Sequence, residues 1–289
     1  MPMATRVLAA ALVAGGLLPR RCLAVNGSLA WPSEAALERA RTRQRRLSAG
    51  GRASKECHKL LGAVDLEWLI EPFKCSSITR MPSVEMIFGT GVGDTGTRSA
   101  ATAVDQLGYP TCHRTYETYL ALKQSTRHDM SPFASSRAWF DTPMASIWPR
   151  LACAFPDHKI VHTTRAGYHR DYVSGNSRWR GKFCGPWTTE KEQARQVLRC
   201  VEYGTTCPTL ADALAVFERV AAALAPLPPE RVFVMNLTAG FDLGKLARFL
   251  GRAVPPEMTG IPHSTEYFCN KVDKPKHEHE HEHSGPLHK

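Results

Sequence analysis

The sequence predicts an α/β fold: a parallel sheet of the phosphate-loop (P-loop) type with helices packed on both of its faces. Two observations carry this expectation. From residue 84 onward, short apolar runs alternate with helical stretches, the pattern of strands joined by helical crossovers. The first apolar run is also joined to the first helical stretch by a turn with glycines at 89, 91, 93 and 96, an arrangement that suits a phosphate.

Taken in order, residues 84–88 (VEMIF) read as a strand, and a helical stretch from Arg98 to Leu107 is stopped by Gly108. A helix-like stretch from Ile147 to Phe155 leads to a strand at Lys159–Thr164 (KIVHTT), after which a polar segment ends at Asn176. Two helical patterns at 189–202 and 209–225, a strand at Arg231–Met235 and a helix at Leu243–Leu250 complete the body. There is no internal repeat. With 289 residues and 43% hydrophobic content, the chain can bury one sizeable core, and a single α/β domain over 81–269 is expected.

At the N-terminus, Arg6 precedes the apolar run Val7–Leu18, and Cys22 and Ala24 occupy the small-residue positions of a cleavage site, which reads as a signal peptide over 1–24. The run is shorter than the roughly 20 residues of a spanning helix. Arg20 and Arg21 beside the cleavage position leave a short uncleaved anchor as the alternative. Residues 25–80 read as a basic extension or stem, and residues 270–289, with His–Glu alternation at 277–283, as a disordered tail with no assigned function.

Once Cys22 leaves with the signal, eight of the nine cysteines remain, an even number compatible with an oxidising compartment. Their spacing does not choose a pairing. No C-x-x-C occurs, which argues against a zinc site or a thioredoxin-like centre. Asn26-Gly-Ser and Asn236-Leu-Thr match the glycosylation acceptor pattern. The expected location is the secretory pathway, either the Golgi lumen or outside the cell. A net charge of +10 favours anionic partners.

In the glycine-rich turn, the glycines allow close backbone approach, the helix N-terminus adds partial positive charge, and Thr95, Thr97 and Ser99 offer hydroxyls. It is not a Walker A loop, because Thr97 and Arg98 stand where lysine and serine or threonine belong. An ordinary ATPase or GTPase is thereby disfavoured.

On Asp94-Thr95-Gly96-Thr97-Arg98-Ser99, the chain resembles the sulfotransferase superfamily, whose loop has the form basic-[ST]-G-T-x-[SW]. The resemblance continues through Leu107-Gly108-Tyr109, Cys112-His113, Asp141-Thr142-Pro143, Phe155-Pro156-Asp157, KIVHTT with Arg165, RVFVMNLTAGFD and IPHS, covering roughly residues 84 to 265. It implies transfer of a sulfuryl group from 3′-phosphoadenosine-5′-phosphosulfate to a hydroxyl, with no metal. Gly93, Asp94, Thr95, Gly96, Thr97, Arg98 and Ser99 would hold the phosphosulfate. Arg165 and Ser174 would hold the 3′-phosphate, with Arg165 at the C-terminal edge of a strand, where open α/β sheets bind ligands.

The chain departs from the pattern twice. Asp94 occupies the basic position, so Arg98 or another cation must meet the leaving phosphate, and Ser174 lies nine residues after Arg165 where the family has eight. For the base that takes the acceptor proton, His113, Asp141 and Glu117 are the candidates. His162, inside a strand, reads as an internal packing or hydrogen-bonding residue. The resemblance implies a hydroxyl acceptor; the basic surface fits an acidic or already sulfated glycan, with a lipid or small alcohol as the alternative. No nucleic acid is implied, and membrane contact arises only through an uncleaved N-terminus. Two other readings stay open: a nucleotide-dependent phosphotransferase, and a non-catalytic secreted protein that kept the fold and lost the donor through Asp94.

Overall fold

The computed structural model describes residues 53–93, 95–165, 184, 188–236, 240, 242–260, 262 and 268–270. The expected signal or anchor, the extension up to residue 52, Asp94, Ser174, most of IPHS and the tail from 271 lie outside the described residues. Among the described residues six strands are formed: β1 (Met86–Gly89), β2 (Thr111–His113), β3 (Ala138–Trp139), β4 (His158–Thr164), β5 (Val232–Asn236) and β6 (Phe268–Cys269). Seven α-helices accompany them among the same residues: α1 (Lys55–Ala63), α2 (Thr97–Gln106), α3 (Thr115–Gln124), α4 (Met144–Ala154), α5 (Glu190–Tyr203), α6 (Leu210–Leu224) and α7 (Leu243–Leu250).

The strand order is β5-β4-β1-β3-β2-β6. The first five strands are parallel, while β6 pairs with β2 antiparallel. The sheet is therefore mixed, with one short antiparallel strand added at the edge of the expected parallel one. Adjacent residues of β1 serve opposite faces, as strand geometry requires. Ile87 joins Ala138, Val161 and Met235 beneath α2 and α7 in one buried core. Phe88 turns the other way, onto the rings of Phe155 and His158, and on that second face His162 packs against Phe217 of α6. Helices thus cover both sides of the sheet.

Local chemistry sets the helix ends. Thr189 with Glu192 and Thr209 with Asp212 form capping boxes at the starts of α5 and α6, while Asp242 caps α7. Gly204 and Gly251 end α5 and α7 in the left-handed conformation that glycine adopts without penalty. All eight cysteines downstream of Cys22 are paired: Cys57–Cys200, Cys75–Cys153, Cys112–Cys269 and Cys184–Cys207. The first two fasten residues 53–80, which the sequence suggested as part of an extension, onto α5 and α4. Among the described residues no helix is long and apolar enough to cross a membrane, and no cluster of His, Cys, Asp or Glu could hold a metal ion.

Candidate functional site

The strand order creates a crevice. From β1 the chain crosses through α2 towards β2, on one side of the sheet, whereas from β4 it crosses towards β5 on the other. Since β1 and β4 are neighbours, their C-terminal ends flank a topological switch point, the place where open α/β sheets bind ligands. The glycine-rich loop leaves β1 there, and Arg165 follows β4, exposed, at the same end.

The loop is fastened to β4 residue by residue. The Thr90 amide donates to the Val161 carbonyl at 3.1 Å, and the Thr90 hydroxyl lies 3.0 Å from His162 Nδ1. The Thr95 hydroxyl donates to the Val92 carbonyl at 2.6 Å, so at 2.7 Å from Thr163 it accepts the Thr163 proton. Gly91 is what permits this closeness, since a Cβ there would lie 1.7 Å from Thr163 Oγ1. A Cβ on Gly89 would likewise fall 1.9 Å from the Phe140 ring. The loop ends at Gly96, whose φ of 90° turns the chain into α2 and leaves the helix without a side-chain cap. A helix N-terminus at the mouth of the loop, with its partial positive charge, suits an anion.

These positions give the two loop threonines internal work. Thr95 is fully buried in the loop's own frame, and the buried Thr97 hydroxyl lies 3.1 Å from His113 Nε2. His113 ends β2 beneath the start of α2 at only 2% exposure, and burial pushes its imidazole below the usual range. The Asp141 carboxylate opposes that shift and the Arg98 guanidinium reinforces it, so His113, Asp141 and Arg98 share one electrostatic neighbourhood. Asp141 is half-buried with φ at 80°, a conformation that Asp tolerates better than most residues. Its side chain accepts from the Thr115 hydroxyl at 3.1 Å rather than capping α4, whose N-cap is Pro143.

A family model of the sulfotransferase domain matches residues 86–267, well over half of the chain. The chain belongs to the sulfotransferase family. In this sulfotransferase the match begins at β1 and takes in the loop, both flanks of the switch point and Asp141. Among solved structures, the sulfotransferase STF1 from Mycobacterium tuberculosis is 16% identical, with 78% of this chain and 85% of that one covered at a TM-score of 0.37. Comparison with curated proteins returns no match.

Of the candidates read from sequence, Gly93, Thr95, Gly96, Thr97, Arg98 and Ser99 form one loop and helix start, His113 and Asp141 gather beside it, and Arg165 stands at the end of the adjoining strand. Glu117 instead pairs with Arg114 on α3 at 3.0 Å. His162 is an internal residue, with burial pushing its pKa down to about 4. Sequence reading missed Thr90 and Thr163, the loop's attachment points. Their only signal is proximity in the fold, save that Thr163 lies in the strand segment KIVHTT.

Proposed function

We propose that this sulfotransferase carries a sulfuryl group from 3′-phosphoadenosine-5′-phosphosulfate to a hydroxyl acceptor, an acidic glycan being the favoured class. The observation that carries the reading is a glycine loop bound to β4 at the switch point and opening onto the uncapped N-terminus of α2. Such a cradle suits a phosphosulfate: backbone amides meet its oxygens and the helix end adds partial charge. Arg165, exposed after the end of β4, would hold the 3′-phosphate.

Chemically, the acceptor oxygen attacks sulfur in line, the bond from sulfur to the bridging phosphate oxygen breaks, and the bisphosphate leaves with that electron pair. Arg98, in the first turn of α2, meets the charge growing on the leaving phosphate in place of the missing basic residue at position 94. Asp141 is better exposed than His113 to receive the acceptor proton, and His113 then acts from behind, through Thr97 and the local charge balance. A net charge of +10 supports an acidic acceptor, and four disulfides support passage through the secretory pathway. Asp94 in the loop supports a second reading, a binding protein that no longer turns over. Calorimetry with 3′-phosphoadenosine-5′-phosphate and with ATP tests the site. Tight binding of the bisphosphate alone supports it, and preference for ATP refutes it in favour of a phosphotransferase.

A further inference from the structure

The sheet sets two strand ends side by side next to the loop. β2 ends at His113 and passes through Arg114 straight into α3, while β3 ends at Trp139 and is followed by Phe140 and Asp141. Cys112 and Trp139 are paired in register, and the Phe140 amide donates to the Cys112 carbonyl at 2.9 Å. Asp141 therefore emerges beside the first turn of α3. There the Thr115 hydroxyl, at the start of the helix, donates to Asp141 Oδ2 at 3.1 Å, and both residues are half-buried.

The backbone that carries Asp141 is held from both sides. Phe140 before it is fully buried, the Met144 amide donates to the Asp141 carbonyl at 2.9 Å, and the Thr142 hydroxyl donates to Glu202 Oε1 on α5 at 3.4 Å. At a φ of 80°, Asp141 keeps a conformation that persists only where the surroundings over-determine it, and such residues gather at functional sites. On so fixed a backbone, the freedom left to the carboxylate is rotation about its side-chain bonds, and the Thr115 hydrogen bond limits that rotation. The bond joins residues 26 positions apart and lies outside the hydrogen bonding of α3 itself.

We propose that Thr115 is a positioning residue for the transfer step, its hydroxyl holding Oδ2 of Asp141 and so presenting Oδ1 to the acceptor hydroxyl. The proposal rests on the reading of Asp141 as the group that receives the acceptor proton. In that step Oδ1 takes the proton while the acceptor oxygen bonds to sulfur, and the bond from sulfur to the bridging phosphate oxygen breaks with its electron pair leaving on the bisphosphate. The proton passes to water once the products have left. A threonine hydroxyl has one proton to give, so giving it to Oδ2 decides which oxygen is occupied and which is offered. Without the hydroxyl the carboxylate turns out of line with the acceptor, which slows the chemical step and leaves the donor site untouched.

The test compares Thr115→Val, Thr115→Ala and Thr115→Ser with the parent, in sulfuryl transfer from labelled donor and in calorimetry with 3′-phosphoadenosine-5′-phosphate. Valine keeps the volume of threonine without the hydroxyl, serine keeps the hydroxyl without the methyl group, and alanine has neither. Thr115→Val and Thr115→Ala are expected to lose on the order of tenfold in kcat, the size of one hydrogen bond to a charged group, with bisphosphate affinity within about twofold of the parent. Thr115→Ser should restore most of the loss. In an Asp141→Ala background, followed by single-turnover transfer of the label, Thr115→Val should cost nothing more, because no carboxylate is left to position. Parental kcat in Thr115→Val overturns the proposal, as does a serine variant no better than alanine, or a full further loss on top of Asp141→Ala. Alanine suits a helix, so its comparison with serine decides the matter alone if the valine variant does not fold. If Asp141→Ala keeps the parental kcat, the reading of Asp141 has failed and the proposal falls with it, a result distinct from the others.

Discussion

Gly91→Ala is the sharpest perturbation of the loop. Its Cβ would stand 1.7 Å from Thr163 Oγ1, 2.6 Å from Thr95 Oγ1 and 3.0 Å from Thr163 Cβ, where contacts under 3.4 Å are already tight. Neither threonine can swing away cheaply, because both are fully buried, β-branched and bonded to each other. The loop must therefore lift from β4. Overpacking a rigid site costs about 1–3 kcal/mol, and losing the Thr95–Thr163 hydrogen bond adds about 1 kcal/mol, so a loss of about 2–4 kcal/mol is expected. Urea denaturation measures it, and calorimetry with the bisphosphate reports whether the cradle survives. The double variant Gly91→Ala/Thr163→Ala removes the nearest atom but leaves Thr95 Oγ1 at 2.6 Å and the residue-163 Cβ at 3.0 Å, and should recover only part of the stability. A single variant within about 0.5 kcal/mol of the parent, with unchanged bisphosphate affinity, would refute the claim that the loop is braced on β4.

Other consequences are open to measurement. Arg165→Ala should weaken bisphosphate binding by about 1.5–3 kcal/mol in calorimetry, while leaving the melting temperature close to the parent's, since Arg165 is exposed. Arg98→Ala should lower turnover far more than nucleotide affinity, as expected of a contact that strengthens in the transition state, and parental turnover in a kinetic assay would remove it from the mechanism. Burial pushes His158 and His162 each down to about 4, so acidification from about 6.5 towards 4 protonates them in the unfolded chain first and destabilises the fold. Burial raises Glu202 to about 8 against an ordinary value near 4.5, so its protonated form opposes folding increasingly as pH rises from about 4.5 to about 8. Each group contributes at most about 1.4 kcal/mol per pH unit, which places the urea midpoint maximum near pH 6.5. Glu202→Gln should flatten the fall on the alkaline side.

The parts of the fold that were legible in sequence are those whose pattern is long enough to show a period. The apolar runs at β1, β4 and β5 and the helices α2, α5, α6 and α7 were read within a few residues, because each carries an apolar face and a glycine or polar boundary. The strands β2 and β3, of three and two residues, are too short to alternate visibly, and α3 (TYETYLALKQ) is polar enough to pass for a connection. β6 exists only through its pairing with β2, where Cys269 is bonded to Cys112. Within the site, the motif gave the loop and Arg165, and the resemblance gave His113 and Asp141. The bracing of Thr95 on Thr163 spans 68 positions and the bond from Thr115 to Asp141 spans 26, and nothing local marks either. Both depend on which strand ends the sheet sets side by side, which is a property of the topology.

The central claim is that the loop presents a phosphosulfate for transfer despite the acid at position 94. It is tested most directly by incubating the parent with donor carrying labelled sulfate and a panel of hydroxyl acceptors, acidic glycans included, and by following both label and bisphosphate. The account predicts label in at least one acceptor, with one bisphosphate released for each sulfate transferred. Donor that stays intact with every acceptor, together with no detectable donor binding in calorimetry, would contradict it.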